Sequence, residues 1–449
     1  MNTTTIAAIA TAPGQGGVAI VRLSGPEAER ILLEIFRPAK KGELTSHMLT
    51  YGHVRDGAST VDECMAVLMR APRSYTREDV AEIQLHGGGY IAQRVLELCL
   101  RHGAELASPG EFTRRAFLNG RIDLSQAEAV MNLIAAQGEQ SHRAAMRQLQ
   151  GGASSFIRKA ADELYEIQAG VAACIDYPEE IDEAEAAADM LPRTEALAAR
   201  IDAACDERAA RILQSGLHVA LCGQPNVGKS SLLNVLAGYE RVIVTEVAGT
   251  TRDTVEETVK VGGVMLRLVD TAGIRTTDDR IEAMGVERSR KAIEEADLVI
   301  LMLDSASELT DEDEEVIDLC SELENVIVLL NKSDKEAVIE PSDLPFMYII
   351  RCSAKNGEGL EQLSDLVEEF FGGEMPCDGS ILTNARQYDA IRRAQEAIGS
   401  AMKGLKMGFT PDAVLTDVEI AMEAMGEVTG ATVREDITAR IFERFCVGK

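Results

Sequence analysis

Four short segments, met in one order, constrain this chain more than anything else in it. They are Gly223-Gln-Pro-Asn-Val-Gly228-Lys229-Ser230, Gly249-Thr250-Thr251, Asp270-Thr271-Ala272-Gly273 and Asn331-Lys332-Ser333-Asp334, with Ser353-Ala354-Lys355 following as a fifth. Leu217–Cys222 reads as a buried strand and Ser231–Ala237 as a helix, so the first segment has the strand–loop–helix setting that a phosphate loop requires. Each later segment also ends a predicted strand. Ligand loops gathered at strand ends belong to open α/β sheets. The expected fold here is therefore an α/β P-loop NTPase domain with a mixed sheet. Thr254–Val261 and Val264–Asp270 alternate around Gly262-Gly263 and predict its antiparallel hairpin.

The residue types dictate the chemistry. Gly223 and Gly228 free a loop, running through Asn226 and Val227, whose N–H groups can converge on phosphate oxygens. Lys229 brings charge to the β- and γ-phosphates, Ser230 offers a hydroxyl to Mg²⁺, and Ser231 continues the helix start. Thr251 is the expected second hydroxyl on Mg²⁺, against the plainer reading of an exposed turn threonine. Asp270 then falls in the metal's second shell, and the Gly273 N–H near the γ-phosphate. Asp334 selects the base, since a carboxylate accepts from both N1–H and the N2 amine of guanine and adenine has no such donor pair. Asn331 and Lys332 hold that loop, with Ser353 and Ala354 beside it. These residues imply GTP binding and hydrolysis, with Lys229 and Thr251 in the catalytic set.

Water activation is less direct. Ile274 follows Gly273 where many GTPases carry a glutamine. Arg275, Asp278, Asp279 and Glu282 lie just downstream. Glu282 reads either as the group that orients water or as a helix-start carboxylate at the head of Glu282–Glu295. Asn226, with Thr245, Val247 and Thr250, offers oxygens for a monovalent cation that would do the work of an arginine. An asparagine capping its own turn is the alternative.

The chain has 449 residues, enough for two or three domains, and 46% hydrophobic content. No run of about 20 apolar residues predicts a membrane span. No signal peptide is apparent, and the nine cysteines form no C-x-x-C pair, which points to reduced thiols in the cytoplasm. Net charge is −29, which argues against broad nucleic-acid binding. Residues 1–118 are balanced, with 13 Lys/Arg against 13 Asp/Glu, so any RNA must meet a local patch or a second protein. Pattern and proline suggest an α+β domain at 1–118, helical sequence at 119–213, the G-domain at 214–374 and helical sequence again at 375–449. The two helical stretches read as one all-α domain into which the G-domain is inserted.

The N-terminal third carries two glycine-rich turns, Pro13-Gly-Gln-Gly-Gly17 and His86-Gly-Gly-Gly89, which either approach a ligand or simply turn the chain. Arg22, Glu82 and Arg121 would suit a ligand with a glutamate tail and a hydrogen-bonding heterocycle. They read equally as ordinary surface charges. Ile437–Phe445 reads as an amphipathic helix. Beyond it Cys446 is either a reactive thiol near Lys449 or a small buried hydrophobe.

Thr5-Ile-Ala-Ala-Ile-Ala-Thr-Ala-Pro-Gly14, Ile20-Val-Arg-Leu-Ser-Gly25, Pro109-Gly-Glu-Phe-Thr-Arg-Arg-Ala-Phe-Leu-Asn-Gly120 and Phe445-Cys-Val-Gly-Lys449 together resemble the MnmE (TrmE) family of tRNA-modification GTPases, from first strand to last residue. The resemblance implies an N-terminal domain that dimerises and binds 5-formyl- or 5,10-methylene-tetrahydrofolate through Arg22, Glu82, Arg121 and Lys449. It implies K⁺ at Asn226, Thr245, Val247 and Thr250, Mg²⁺ at Ser230 and Thr251, and Glu282 as the catalytic glutamate. It further implies a homodimer that joins the flavoprotein MnmG, in a heterotetramer or larger complex, to modify carbon 5 of the wobble uridine in tRNA. Gln15 stands where the family pattern leads one to expect arginine, and Arg121 replaces a frequent lysine.

Overall fold

The computed structural model describes residues 4–40, 42–136, 138–177, 179–181, 183–204, 208, 210–212, 216–239, 256–270, 291–371, 384–433, 435–443, 445 and 448. They fall into two compact units. One gathers Met1–Met131, Ser154–Ala199 and Asp389–Lys449, the other Asn132–Ala153 and Arg200–Tyr388.

The first unit contains a seven-stranded sheet built from β1 (Ile6–Ile9), β2 (Val18–Ser24), β3 (Phe36–Pro38), β4 (Thr50–Asp56), β5 (Ser59–Met69), β6 (Val80–His86) and β7 (Glu105–Leu106), in the order β3-β4-β5-β6-β2-β1-β7. Strand alternation sends Val21, Leu23, Ala81, Ile83 and Leu85 to one face. There Ile31, Leu32 and Ile35 of α1 (Ala28–Ile35) and Val95, Leu98 and Cys99 of α2 (Gly89–Arg101) cover them. Arg22 and Glu82 therefore point to the opposite face, directly across from one another in register. The sequence pattern predicts strands over Thr5–Ala10, Gly17–Leu23, Asp62–Met69 and Val80–Leu85, which are present as β1, β2, β5 and β6, whereas β3, β4 and β7 are not foreseen by it. Gly52 conceals β4: a side chain there would collide with the Arg37 carbonyl and the Phe36 ring, so close packing puts a residue of low strand propensity mid-strand.

Helices complete this unit: α3 (Glu111–Leu118), α4 (Leu124–Ala135), α6 (Gly152–Asp176), α7 (Glu183–Ala204), α11 (Ala385–Lys406), α12 (Pro411–Thr429) and α13 (Glu435–Phe442). Leu124, Ala127, Phe442 and Phe445 form a small core on which Phe117 packs. The helix predicted over Ile437–Phe445 starts and stops earlier, and Phe445 instead stacks back on Phe442 at 4.9 Å between centroids.

The second unit holds a six-stranded sheet of β8 (Leu217–Cys222), β9 (Glu256–Val261), β10 (Val264–Asp270), β11 (Leu298–Asp304), β12 (Val326–Asn331) and β13 (Tyr348–Arg351), in the order β13-β12-β11-β8-β10-β9. All neighbours run parallel except β9 on β10. Their turn has φ of +56° at Gly262 and +76° at Gly263, the doubly left-handed conformation that a two-residue hairpin favours. Helices α8 (Lys229–Tyr239), α9 (Asp311–Ser321) and α10 (Leu360–Phe371) accompany this sheet. Helix α5 (Glu139–Leu149) belongs to the same unit, with Gln140 Nε2 donating to the Phe371 carbonyl at 3.2 Å. The fold is thus an α/β P-loop domain with a mixed sheet, alongside helical sequence and a separate α+β N-terminal region.

Candidate functional site

Four of the motifs in the second unit stand at the C-terminal ends of parallel strands: the phosphate loop after β8, Asp270 ending β10, Asn331 ending β12 and Ser353 just after β13. Gly249-Thr250-Thr251 lies outside the described residues. The phosphate loop is left-handed at Gly223 (φ +135°), Asn226 (+69°) and Gly228 (+110°). Neither glycine admits a side chain, because a Cβ would strike the Met302 carbonyl at Gly223 and the Asn331 amide at Gly228. Lys229 is only 5% exposed. Its Nζ donates to the carbonyls of Gly223 at 2.5 Å and Gln224 at 2.9 Å, which fixes the ammonium over the loop. Ser230 and Ser231 are exposed in the first turn of α8.

Asn331 is the hub of the base end. Buried to 3% exposure, its Nδ2 donates to the Val227 carbonyl at 2.6 Å and its Oδ1 accepts from the Ala354 N–H at 2.9 Å. One neutral amide thus ties the phosphate loop to both base-side loops with its dipole satisfied at each end. Lys332 is left-handed (φ +66°), and its Nζ donates to Asp304 Oδ2 at 2.5 Å. Ser353 Oγ donates to Asp334 Oδ1 at 3.0 Å, which orients an exposed carboxylate. Sequence reading missed three supports. Asp304 faces Asn331 in register at the end of β11, and Ser305 Oγ donates to the Asn331 carbonyl at 2.7 Å. Glu358 accepts from Ser333 Oγ at 3.0 Å. Only the position of Asp304 at a strand end beside the motif strand was a usable signal.

Partial burial would raise the Asp304 carboxyl, but hydrogen bonds from Lys332 and the Ala306 N–H, with the lysine charge, outweigh it and hold the group below the ordinary carboxylate range. Cys352, behind Asn331, is pushed up to about 12 by burial. Cys64, Cys99, Cys174, Cys222, Cys320 and Cys352 are buried and in no disulfide. Thr245, Val247, Thr250, Thr251, Gly273, Glu282, Cys446 and Lys449 lie outside the described residues, as does the side chain of Asp270.

The first unit builds a second site. Arg22 Nε donates to Glu82 Oε1 at 2.8 Å, its Nη1 donates to the Gly448 carbonyl at 3.0 Å, and the guanidinium stands 5.7 Å from the Phe112 ring centroid. The tail therefore reaches the sheet, and Gly448 (φ +93°) presses on Ile9 too closely for any side chain. Phe112 packs with Ile6, Ala8, Ala107 and Tyr75. Arg121 lies over Tyr75, 4.6 Å from its ring centroid, with Nη1 donating to the Tyr75 carbonyl at 3.1 Å. Buried Phe112 and half-buried Tyr75 thus pack between the Arg22–Glu82 pair and Arg121. The two glycine-rich turns meet each other: Gly16 N–H donates to the Gly87 carbonyl at 3.1 Å, and a side chain on Gly87 would collide with Gly16.

With this geometry in view, the similarity to known proteins is specific. Residues 124–446 match the MnmE helical domain, and residues 5–121 match the GTP-binding protein TrmE N-terminus. The chain is 45% identical over 99% of its length to the tRNA modification GTPase MnmE of Listeria welshimeri serovar 6b, covering 99% of that protein. It is 44% identical to the protein of the same name from Lactococcus lactis subsp. lactis, over 99% of this chain and 98% of that one. The chain belongs to the MnmE family. It is a GTP hydrolase. Among the described residues no helix is long and apolar enough to cross a membrane.

Proposed function

We propose that the GTPase cycle of this chain gates a folate-dependent modification of tRNA, in which an aminomethyl-type group is installed on carbon 5 of the wobble uridine together with the flavoprotein MnmG. The observation that carries this reading is the pairing, in one chain, of a locked guanine-nucleotide loop with an Arg22–Glu82 pair tied to the C-terminal tail. Glu82 spends one oxygen on Arg22 and keeps the other for ring N–H groups of a tetrahydrofolate. Half-buried Tyr75 offers its aromatic middle a surface, and Arg121 takes the glutamate carboxylates. Lys449, next to Gly448, would join them. The relatives carry the tRNA part in their name.

In the G-domain, Ser230 and Thr251 would hold Mg²⁺, which neutralises charge on the phosphate oxygens when bound. Asn226 fits a K⁺ site with Thr245, Val247 and Thr250. Its backbone is left-handed, its side chain is exposed, and among the described residues its amide makes no cap on its own turn. Glu282 would orient the attacking water, a task Ile274 cannot do. The working assembly is a cytoplasmic homodimer whose G-domains pair, joined to MnmG in a heterotetramer or larger complex. With a net charge of −29, the partner bears most of the RNA contact.

The steady-state GTPase rate of the purified chain, in potassium and in sodium at equal ionic strength, tests the trigger. A rise of tenfold or more in potassium is expected, about 1.4 kcal/mol of barrier. Equal rates would leave the GTPase standing and remove the cation from its activation.

A further inference from the structure

The segments Tyr75–Arg77 and Asn119–Arg121 are zipped by reciprocal bonds. Arg121 Nη1 donates to the Tyr75 carbonyl at 3.1 Å, Asn119 Nδ2 to the Thr76 carbonyl at 2.7 Å, and Arg77 Nη1 to the Asn119 carbonyl at 3.0 Å. Each arginine reaches across to the other segment, and both residues are exposed. Thr76, fully buried, shares a 2.7 Å hydrogen bond with Ser24. This anchor holds Arg77 in a left-handed backbone at φ +59°. A long side chain kept there is strained, and such strain persists where the surroundings impose it and clusters at ligand sites.

Charge makes the point sharper. The chain has 74 Asp/Glu against 45 Lys/Arg, yet neither Arg77 nor Arg121 forms an ion pair with a carboxylate among the described residues. Two exposed guanidiniums on hydrogen-bonded segments, without a carboxylate partner in so acidic a protein, offer a place for an anion with more than one charge. The ligand path proposed above runs from Arg22–Glu82 past Tyr75 to Arg121 and stops there. Arg77 lies close by, its Nη1 3.7 Å from the place a Cβ on Gly120 would take.

We infer that Arg77 extends the folate site to take the second and later residues of a γ-linked oligoglutamate tail, making the oligoglutamylated cofactor the preferred ligand. This rests on the folate reading of the same pocket. The test is the Kd of the full-length protein for 5-formyltetrahydrofolate carrying one and three glutamates, measured by titration calorimetry at low salt. Wild type binds the triglutamate about fivefold more tightly, the scale of one or two exposed charge pairs, and the preference fades with added salt. Arg77→Gln levels the two ligands, and Arg77→Glu makes the triglutamate the weaker one. Equal affinities in wild type, or a preference that survives Arg77→Gln, overturn the inference and leave the folate reading intact. Failure of both ligands to bind removes the folate reading itself. If Arg77→Gln weakens tRNA binding while both folates are unaffected, the rim serves phosphate and the inference falls.

Discussion

Two buried hubs hold the two sites, and they are built from opposite chemistry. At the base end of the G-domain the hub is Asn331, a neutral amide whose donor and acceptor are both used. Beneath the N-terminal site it is Arg115, 1% exposed. Its Nη1 donates to the Thr4 carbonyl at 2.8 Å and Glu78 Oε2 at 3.1 Å, and its Nη2 to Glu111 Oε1 at 2.9 Å. Its Nε is buried without a partner. The amide joins three loops at small desolvation cost. The guanidinium joins the chain start, the Tyr75-bearing loop and α3, the helix that carries Phe112, but it must be repaid by two carboxylates. A neutral hub suits loops that must readjust around a changing phosphate, and a charged one suits a frame that stays put.

The strongest way to break this contrast is Arg115→Ala. It strands Glu78 and Glu111 and should cost about 3–5 kcal/mol, the usual consequence of removing one member of a buried ion network. The loss should appear as faster hydrogen exchange at the β2 and β6 amides, with GDP affinity retained. Slow exchange in the variant would mean that the charge is incidental to the frame.

Asn331→Ala comes next. It leaves the Val227 carbonyl and Ala354 N–H unpaired, for about 2 kcal/mol, or roughly a thirtyfold rise in the Kd for GDP. A larger loss than that of Arg115→Ala would reverse the ranking of the two hubs. The contrast also explains what was legible beforehand. Asn331 sits inside a motif whose residue types are dictated by one ligand, so its place followed from order and spacing. Arg115 sits in Thr113-Arg-Arg-Ala116, where nothing local distinguishes it from its exposed neighbour Arg114. Only the packing of α3 against Thr4, Ser24 and Glu78, distant in sequence, turns one arginine inward. Strands β3 and β4 stayed hidden for a related reason, since Gly52 is needed for close approach and weakens the pattern. The sequence marks Arg22 and Glu82 as charges that would suit a ligand, but their pairing in register across β2 and β6 is a property of the assembled sheet.

The smallest effect separates the hub from its periphery. The Asp304 carboxylate makes no hydrogen bond to the Asn331 amide, yet it holds Lys332, the residue expected over the base. Both side chains are partly exposed, at 20% and 28%, so solvent screening limits the pair to about 0.5–1 kcal/mol. Asp304→Asn keeps the shape and the Ala306 contact while removing the charge. It should weaken GDP binding about threefold at neutral pH. The sign of the pH dependence follows from the depressed carboxyl: its contribution is present above the ordinary carboxylate range and is lost as pH falls through the lowered value. The gap in GDP affinity between wild type and Asp304→Asn should therefore be widest at neutral pH and narrow on acidification. A gap that widened toward acid would show that the ion pair is not what positions Lys332. The neutral hub alone would then account for the order of the base loop.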